Sequence, residues 1–159
     1  MSIGILEDVL DKGMYERVLS IFEREELFDD RYTEHKGRKG LLIEDDELIN
    51  YLNITVKEKI LEQLDKKEEM MDISDVYGCI DERYFTIPYH IDDVYKYVSC
   101  VLYCGEGFNG TVFLGEGMKK SEIVPKRNRL LYFLSRDKIH CVPRGEGRRY
   151  TLQFHYGHK

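Results

Sequence analysis

At 159 residues, with 42% hydrophobic and 12% aromatic content, the chain has the size of one domain and enough apolar material for a packed core, which excludes wholesale disorder. Its formal net charge of −6 argues against nonspecific nucleic-acid binding, because a sequence-independent grip on phosphates needs a cationic surface. No charged-then-apolar leader opens the sequence and no apolar run approaches about 18 residues, so neither a signal peptide nor a membrane span is expected, and the location expected is cytoplasmic.

The predicted elements begin with helices. After Ser2-Ile3-Gly4-Ile5-Leu6, the spacing of Tyr15, Val18, Leu19, Phe22 and Leu27 predicts a helix from about Gly13 to Leu27, with Glu16, Arg17, Glu23 and Arg24 turned outward. The polar stretch Asp29 to Gly40, which holds Gly37 and Gly40, reads as a loop or mobile hairpin; a lid over a pocket is the functional alternative. A second helical block is expected from Asp45 to Lys67. Within it Thr55 and Glu58 fit a capping box, Ile60, Leu61 and Leu64 supply an apolar stripe, and Lys66-Lys67-Glu68-Glu69 reads as a solvated helix end.

From Val76 onward the pattern changes to short β-branched and aromatic segments. Strands are expected at Tyr97 to Tyr103, Gly110 to Leu114, Arg129 to Leu134, His140 to Val142 and Arg148 to Tyr156, with a turn at Gly105-Glu106-Gly107. Helices followed by many short strands predict an α+β chain with a sandwich or barrel core. The whole of 1–159 reads as one domain, helical over about 1–70 and β-rich over about 76–156. The four cysteines, Cys79, Cys100, Cys104 and Cys141, lack CxxC spacing and read as reduced, mostly buried thiols.

Charge is unevenly spread. The segment from Glu116 to Arg149 holds ten Lys/Arg and four acids and so carries +6, which leaves −12 for the rest. This leaves room for an anionic ligand; a solvated positive face is the plainer account.

The chemistry-bearing residues begin with His90-Ile91-Asp92. On an extended backbone residues i and i+2 share a face, so one imidazole and one carboxylate converge. Alone, His-x-Asp is a weak signal. His140 is a candidate third ligand on a strand that a rolled sheet can bring alongside. Two His and one carboxylate leave the opposite positions of a metal open, which suits non-haem Fe(II), although Zn²⁺ accepts the same donors. Arg149, nine residues after His140, could hold a carboxylate by a bidentate pair. The bland reading of Arg149 is a strand-end surface residue. Arg148 points the other way on the strand and is the natural control.

Taken in order, Tyr89-His90-Ile91-Asp92, the strand to Tyr103, Phe108-Asn109-Gly110-Thr111-Val112-Phe113, Pro125 to Phe133, and His140-x-Val142-x(6)-Arg149-Tyr150 resemble the prolyl 4-hydroxylase-like branch of the Fe(II)/2-oxoglutarate dioxygenases. The resemblance covers Tyr84 to Tyr156. It implies a double-stranded β-helix (jelly roll) with N-terminal supporting helices. It also implies His90, Asp92 and His140 as iron ligands, and Arg149 on the distal carboxylate of 2-oxoglutarate. Tyr103 would add a hydroxyl there, with Tyr84, Tyr89, Tyr95 and Tyr97 as competitors for that role. Fe(II), 2-oxoglutarate and O₂ are the implied cofactor and cosubstrates, with ascorbate as an accessory reductant. The implied activity is hydroxylation of an unactivated C–H bond, with a prolyl residue in a protein or peptide as the leading substrate and small molecules as the alternative.

Departures from the family are a short segment after Asp92 and Asn109-Gly110 where paired glycines are usual; both suggest a trimmed rim. A cupin-like binding module, without catalysis or with another metal, is the competing class. A nucleic-acid demethylase ranks below both, because the further arginine usual in that branch is His155 here. His35, His155 and His158 read as structural or terminal surface residues.

Overall fold

The computed structural model describes residues 3–64, 70–73, 75–93, 96–107 and 110–157. The expected helix end at 66–69, the pair Phe108-Asn109, Tyr95 and His158 lie outside the described residues.

Strands β1 (Ile3–Leu6), β2 (Arg38–Leu42), β3 (Val76–Asp81), β4 (Ile87–His90), β5 (Lys96–Tyr103), β6 (Thr111–Leu114), β7 (Lys120–Ile123), β8 (Arg129–Leu134), β9 (Ile139–Val142) and β10 (Arg149–Gly157) form two antiparallel sheets. The larger has the order β1-β8-β5-β10-β3-β2 and the smaller β4-β9-β6-β7. Two facing antiparallel sheets of this kind are the jelly roll that the resemblance implies.

Alternation along β5 and β10 decides what each sheet face packs against. Val98, Cys100 and Leu102 on β5, with Leu152, Phe154 and Tyr156 on β10, turn to one side and join the helices in the main core. Tyr103 on β5, with Leu131 and Phe133 on β8 and Phe113 on β6, forms a smaller core between the sheets. Each fully buried aliphatic or aromatic side chain contributes about 1.5–3 kcal/mol, so the helix-side core dominates stability and the inter-sheet face is left free to carry polar groups.

The helices are α1 (Lys12–Glu23), α2 (Asp46–Tyr51) and α3 (Lys57–Gln63). Asp11 caps α1 by accepting the Met14 N–H at 2.8 Å, and the helix buries Met14, Tyr15 and Val18. The chain then tightens into a 3₁₀ turn over Glu25–Leu27, where Leu27 is exposed and Phe28 takes the core position in its stead.

Two expectations are corrected. The capping box at Thr55 and Glu58 does not form, because α2 runs into α3 through one wide π turn, Leu52–Val56, so Thr55 sits inside a continuous helix whose donors are already served. The block is capped at Asp45, which accepts the Leu48 N–H at 3.2 Å. The Tyr156 hydroxyl donates to the Leu52 carbonyl at 2.6 Å, pinning the π turn to the sheet.

The helical part also contributes two strands, β1 and β2, to the large sheet. In β1, Gly4 lies opposite Tyr132, and a Cβ there would stand 2.1 Å from the tyrosine ring, so glycine is what lets the strand dock. Strand β7, for which no expectation was made, pairs with β6 although its Lys-Ser-Glu-Ile sequence carries no apolar alternation.

Candidate metal centre and cavity

Pairing between β4 and β9 sets His90 directly opposite His140, and Asp92 follows two residues beyond His90. The three expected ligands therefore meet. One donor atom from each lies within 4.8 Å of the others, with the Asp92 Oδ1 3.3 Å from the His90 Nε2 and 3.4 Å from the His140 Nε2. His140 is buried against the Phe133 ring at 4.7 Å and the Phe113 ring at 5.8 Å, which shield it from water.

The hydrogen bonds around the imidazoles fix their roles. The His90 Nδ1 lies 2.9 Å from the Pro88 carbonyl and the His140 Nδ1 3.0 Å from the Lys138 carbonyl. A carbonyl only accepts, so each Nδ1 carries the proton and each Nε2 is left to present its lone pair to the common point. Donors about 2.1 Å from a shared ion stand about 3 Å apart in adjacent positions, so the observed spacings fit a metal held on one face.

Asp92 is braced from behind. Ser99 on β5 donates to its Oδ2 at 2.5 Å, and the Ser135 hydroxyl lies 2.7 Å from that of Ser99. Burial opposes ionisation of Asp92, but its contacts with His140 and His90, the hydrogen bond from Ser99 and the charge of Lys96 outweigh it and hold the carboxyl far below its usual range. His90 is shifted up, chiefly by its bond to Asp92. A carboxylate that stays ionised beside two correctly oriented imidazoles is what a divalent cation requires.

These groups open into a cavity of about 510 Å³ whose lining includes His90, Asp92, His140, Thr111 and Arg149. That size suits a small ligand. Arg149 is 4% exposed, so the surface-residue alternative is set aside. Its Nη1 donates to Asp81 at 3.2 Å, its guanidinium carbon lies 5.6 Å from the centre of the Tyr103 ring, and its buried Nε has no hydrogen-bond partner among the described residues. Arg148 does point the other way, to Glu25 and Glu82.

Tyr103 is fully buried with its hydroxyl 2.8 Å from that of Thr111. Among its competitors, Tyr84 and Tyr89 are exposed and Tyr97 packs in the helix-side core. All four cysteines are free and buried.

Several residues of the site were missed from sequence. Arg38, Asp81, Ser99, Thr111 and Ser135 were not singled out, and His35 and His155, read as structural or surface, both line the cavity. Tyr32 and Arg38 line it too, so the 29–40 segment forms a wall of the pocket. Ser99 was legible in principle, since it shares with Tyr103 the inward face of a strand that was correctly placed.

Two facing sheets closed over three convergent metal donors define the chain as a double-stranded β-helix protein with a candidate metal centre. Its fold is the one seen in the 2-oxoglutarate-Fe(II) oxygenases, prolyl hydroxylases among them. A Pseudomonas putida prolyl-4-hydroxylase matches 99% of this chain and 93% of its own at a TM-score of 0.79 and 16% identity. A Trichoplax adhaerens prolyl hydroxylase, solved with a peptide fragment of the hypoxia inducible factor oxygen degradation domain, matches 98% of this chain and 83% of its own at 0.79 and 18%. HygX from Streptomyces hygroscopicus, solved with nickel, 2-oxoglutarate and hygromycin B, matches 98% and 82% at 0.73 and 13%. No protein-family model matches the sequence, and no curated protein matches it. Among the described residues no helix is long and apolar enough to cross a membrane.

Proposed function

We propose that the chain is an Fe(II)- and 2-oxoglutarate-dependent oxygenase that hydroxylates an unactivated C–H bond, with a prolyl residue of a protein or peptide as its substrate. The observation that carries this reading is the convergence of the His90 Nε2, the His140 Nε2 and the Asp92 Oδ1 at the head of a cavity that also holds a buried arginine. When bound, Fe(II) with O₂ and 2-oxoglutarate supplies the oxidising chemistry, in which the 2-oxo acid is converted to succinate and CO₂.

The chain's own residues do the rest. His90, Asp92 and His140 hold the ion on one face and leave its other positions to ligands. Arg149 takes the distal carboxylate of 2-oxoglutarate with its guanidinium, and Tyr103 backs the guanidinium with its ring. Phe113 and Phe133 exclude water from the His140 side. The prolyl substrate is supported by the prolyl hydroxylases among the structural neighbours. HygX, whose structure holds hygromycin B, favours a small molecule as the second reading.

Anaerobic titration with Fe(II), with and without 2-oxoglutarate, tests the proposal through the weak visible charge-transfer band of the chelate. The band should need both components, vanish in His140→Ala and weaken in Arg149→Ala. Iron binding without a band points to a cupin-like module instead. Incubation of the active protein with proline-containing peptides should then add one oxygen to the peptide mass, whereas turnover of a small molecule alone would refute the prolyl assignment.

A further inference from the structure

Asp81 occupies an unusual place in the large sheet. It is the register partner of Arg38 on one side and of Arg149 on the other, so a row Arg38–Asp81–Arg149 crosses three adjacent strands. The carboxylate has no exposure. Arg38 grips it with two bonds, from Nε at 2.6 Å and from Nη2 at 3.0 Å, while Arg149 makes a single bond at 3.2 Å. The Arg38 guanidinium also lies 4.5 Å over the Phe85 ring, which fixes its plane. Both arginines line the cavity.

Two guanidiniums and one carboxylate leave one positive charge in a buried place, and the orphan Nε lies on the arginine that Asp81 holds more weakly. A buried unpaired charge is costly, so the arrangement is complete only when a further anion arrives.

We infer that Arg38 is a positioning residue for the 2-oxo acid subsite: its bidentate grip keeps Asp81 from neutralising Arg149 and so leaves Arg149 free for the ligand's distal carboxylate. This rests on the proposed 2-oxoglutarate reading. Without Arg38, Asp81 turns to Arg149, the row becomes neutral, and the incoming carboxylate must compete with a carboxylate already in place.

Calorimetry on the Mn(II)-loaded protein tests this without turnover. The probes are 2-oxoglutarate and 2-oxobutyrate, which lacks the distal carboxylate. Arg38→Met should weaken 2-oxoglutarate about 10- to 100-fold, the equivalent of one charge-assisted hydrogen bond, and leave 2-oxobutyrate within about threefold. Arg38→Met combined with Asp81→Asn removes the pair together and should restore 2-oxoglutarate binding to within about threefold of wild type, which a merely structural role for Arg38 would not do. Arg38→Lys keeps the charge and should lie nearer wild type than Arg38→Met.

Should Arg38→Met fail to fold, the double variant decides: weakened 2-oxoglutarate binding there overturns the inference, and wild-type binding upholds it. Wild-type affinity in a folded Arg38→Met overturns the inference alone. A wild-type protein that takes up Mn(II) but not 2-oxoglutarate overturns the functional reading and this inference with it.

Discussion

Removing the Ser99 hydroxyl isolates the brace on Asp92, the carboxylate of the proposed metal centre. In the structure Ser99 donates to the Asp92 Oδ2 at 2.5 Å, and its only proton is thereby used. The contact to Ser135 at 2.7 Å must then run from Ser135 to Ser99, so the order of donation is Ser135, Ser99, Asp92. Ser135 is fully buried and Ser99 nearly so.

A hydrogen bond to a charged acceptor is worth about 1.5–3 kcal/mol, and about 1.4 kcal/mol corresponds to tenfold in affinity. Ser99→Ala should therefore weaken Fe(II) binding by about tenfold, with about 100-fold as the ceiling, since a bound ion itself helps to order the carboxylate. Anaerobic calorimetry measures the change. Ser99→Thr keeps a hydroxyl on a strand that tolerates β-branching and should recover most of the affinity. Ser135→Ala, one bond further out, should cost less than Ser99→Ala. A folded Ser99→Ala that binds Fe(II) within about twofold of wild type would refute the brace, as would a Ser99→Thr as weak as the alanine variant.

Other perturbations separate fold from site. Asp45 caps α2 and pairs with Arg17, and that pairing above all holds its carboxyl below the usual range. The stabilisation is therefore present above the unfolded pKa of about 3.9 and is lost as pH falls through the lower folded value. Asp45→Ala should lower stability by about 1 kcal/mol at neutral pH and flatten that acid-side decline, read by urea unfolding across pH. Gly110→Ala would set a Cβ 2.0 Å from the Ile123 carbonyl oxygen, where β6 meets β7, and should destabilise by about 1–3 kcal/mol; an unchanged unfolding midpoint would contradict the geometry. Arg148→Ala breaks the pairs to Glu25 and Glu82 and should cost about 1 kcal/mol or less, given their partial exposure, while 2-oxoglutarate affinity stays within about twofold of wild type.

What was legible in the sequence follows from where the information is local. Strands β5, β8, β9 and β10 were placed to within a residue or so because β-branched and aromatic residues run unbroken between turn signals. The convergence of His90 and Asp92 followed from strand period alone. The two edge strands contributed by the helical part were not legible, since Arg38-Lys39-Gly40-Leu41-Leu42 has no alternation of its own and becomes a strand by pairing with β3. For the same reason Arg38 and Asp81 escaped notice: they are 43 residues apart and acquire meaning through a register that no local pattern encodes. The capping box at Thr55 failed for a related reason, because the motif was present but the helix had already begun at Asp46.

The uneven charge takes a different meaning once the sheets are closed. Lys126 and Arg129 reach back to Glu7 at 3.5 and 2.6 Å, Arg148 to Glu25 and Glu82, and Arg149 to Asp81. Among the described residues, these four of the ten cations in the basic segment bind acids of the segments that precede it, so the split between +6 and −12 partly closes within the fold. A polyanion laid on this surface would have to compete with those carboxylates, which weakens the case for a nucleic-acid substrate. Arg149 differs from the other three. Its acid is already satisfied by Arg38, it is buried, and its Nε lacks a partner among the described residues. The positive charge left over for a ligand therefore sits inside a cavity of about 510 Å³, where a small carboxylate fits and a nucleic-acid strand does not.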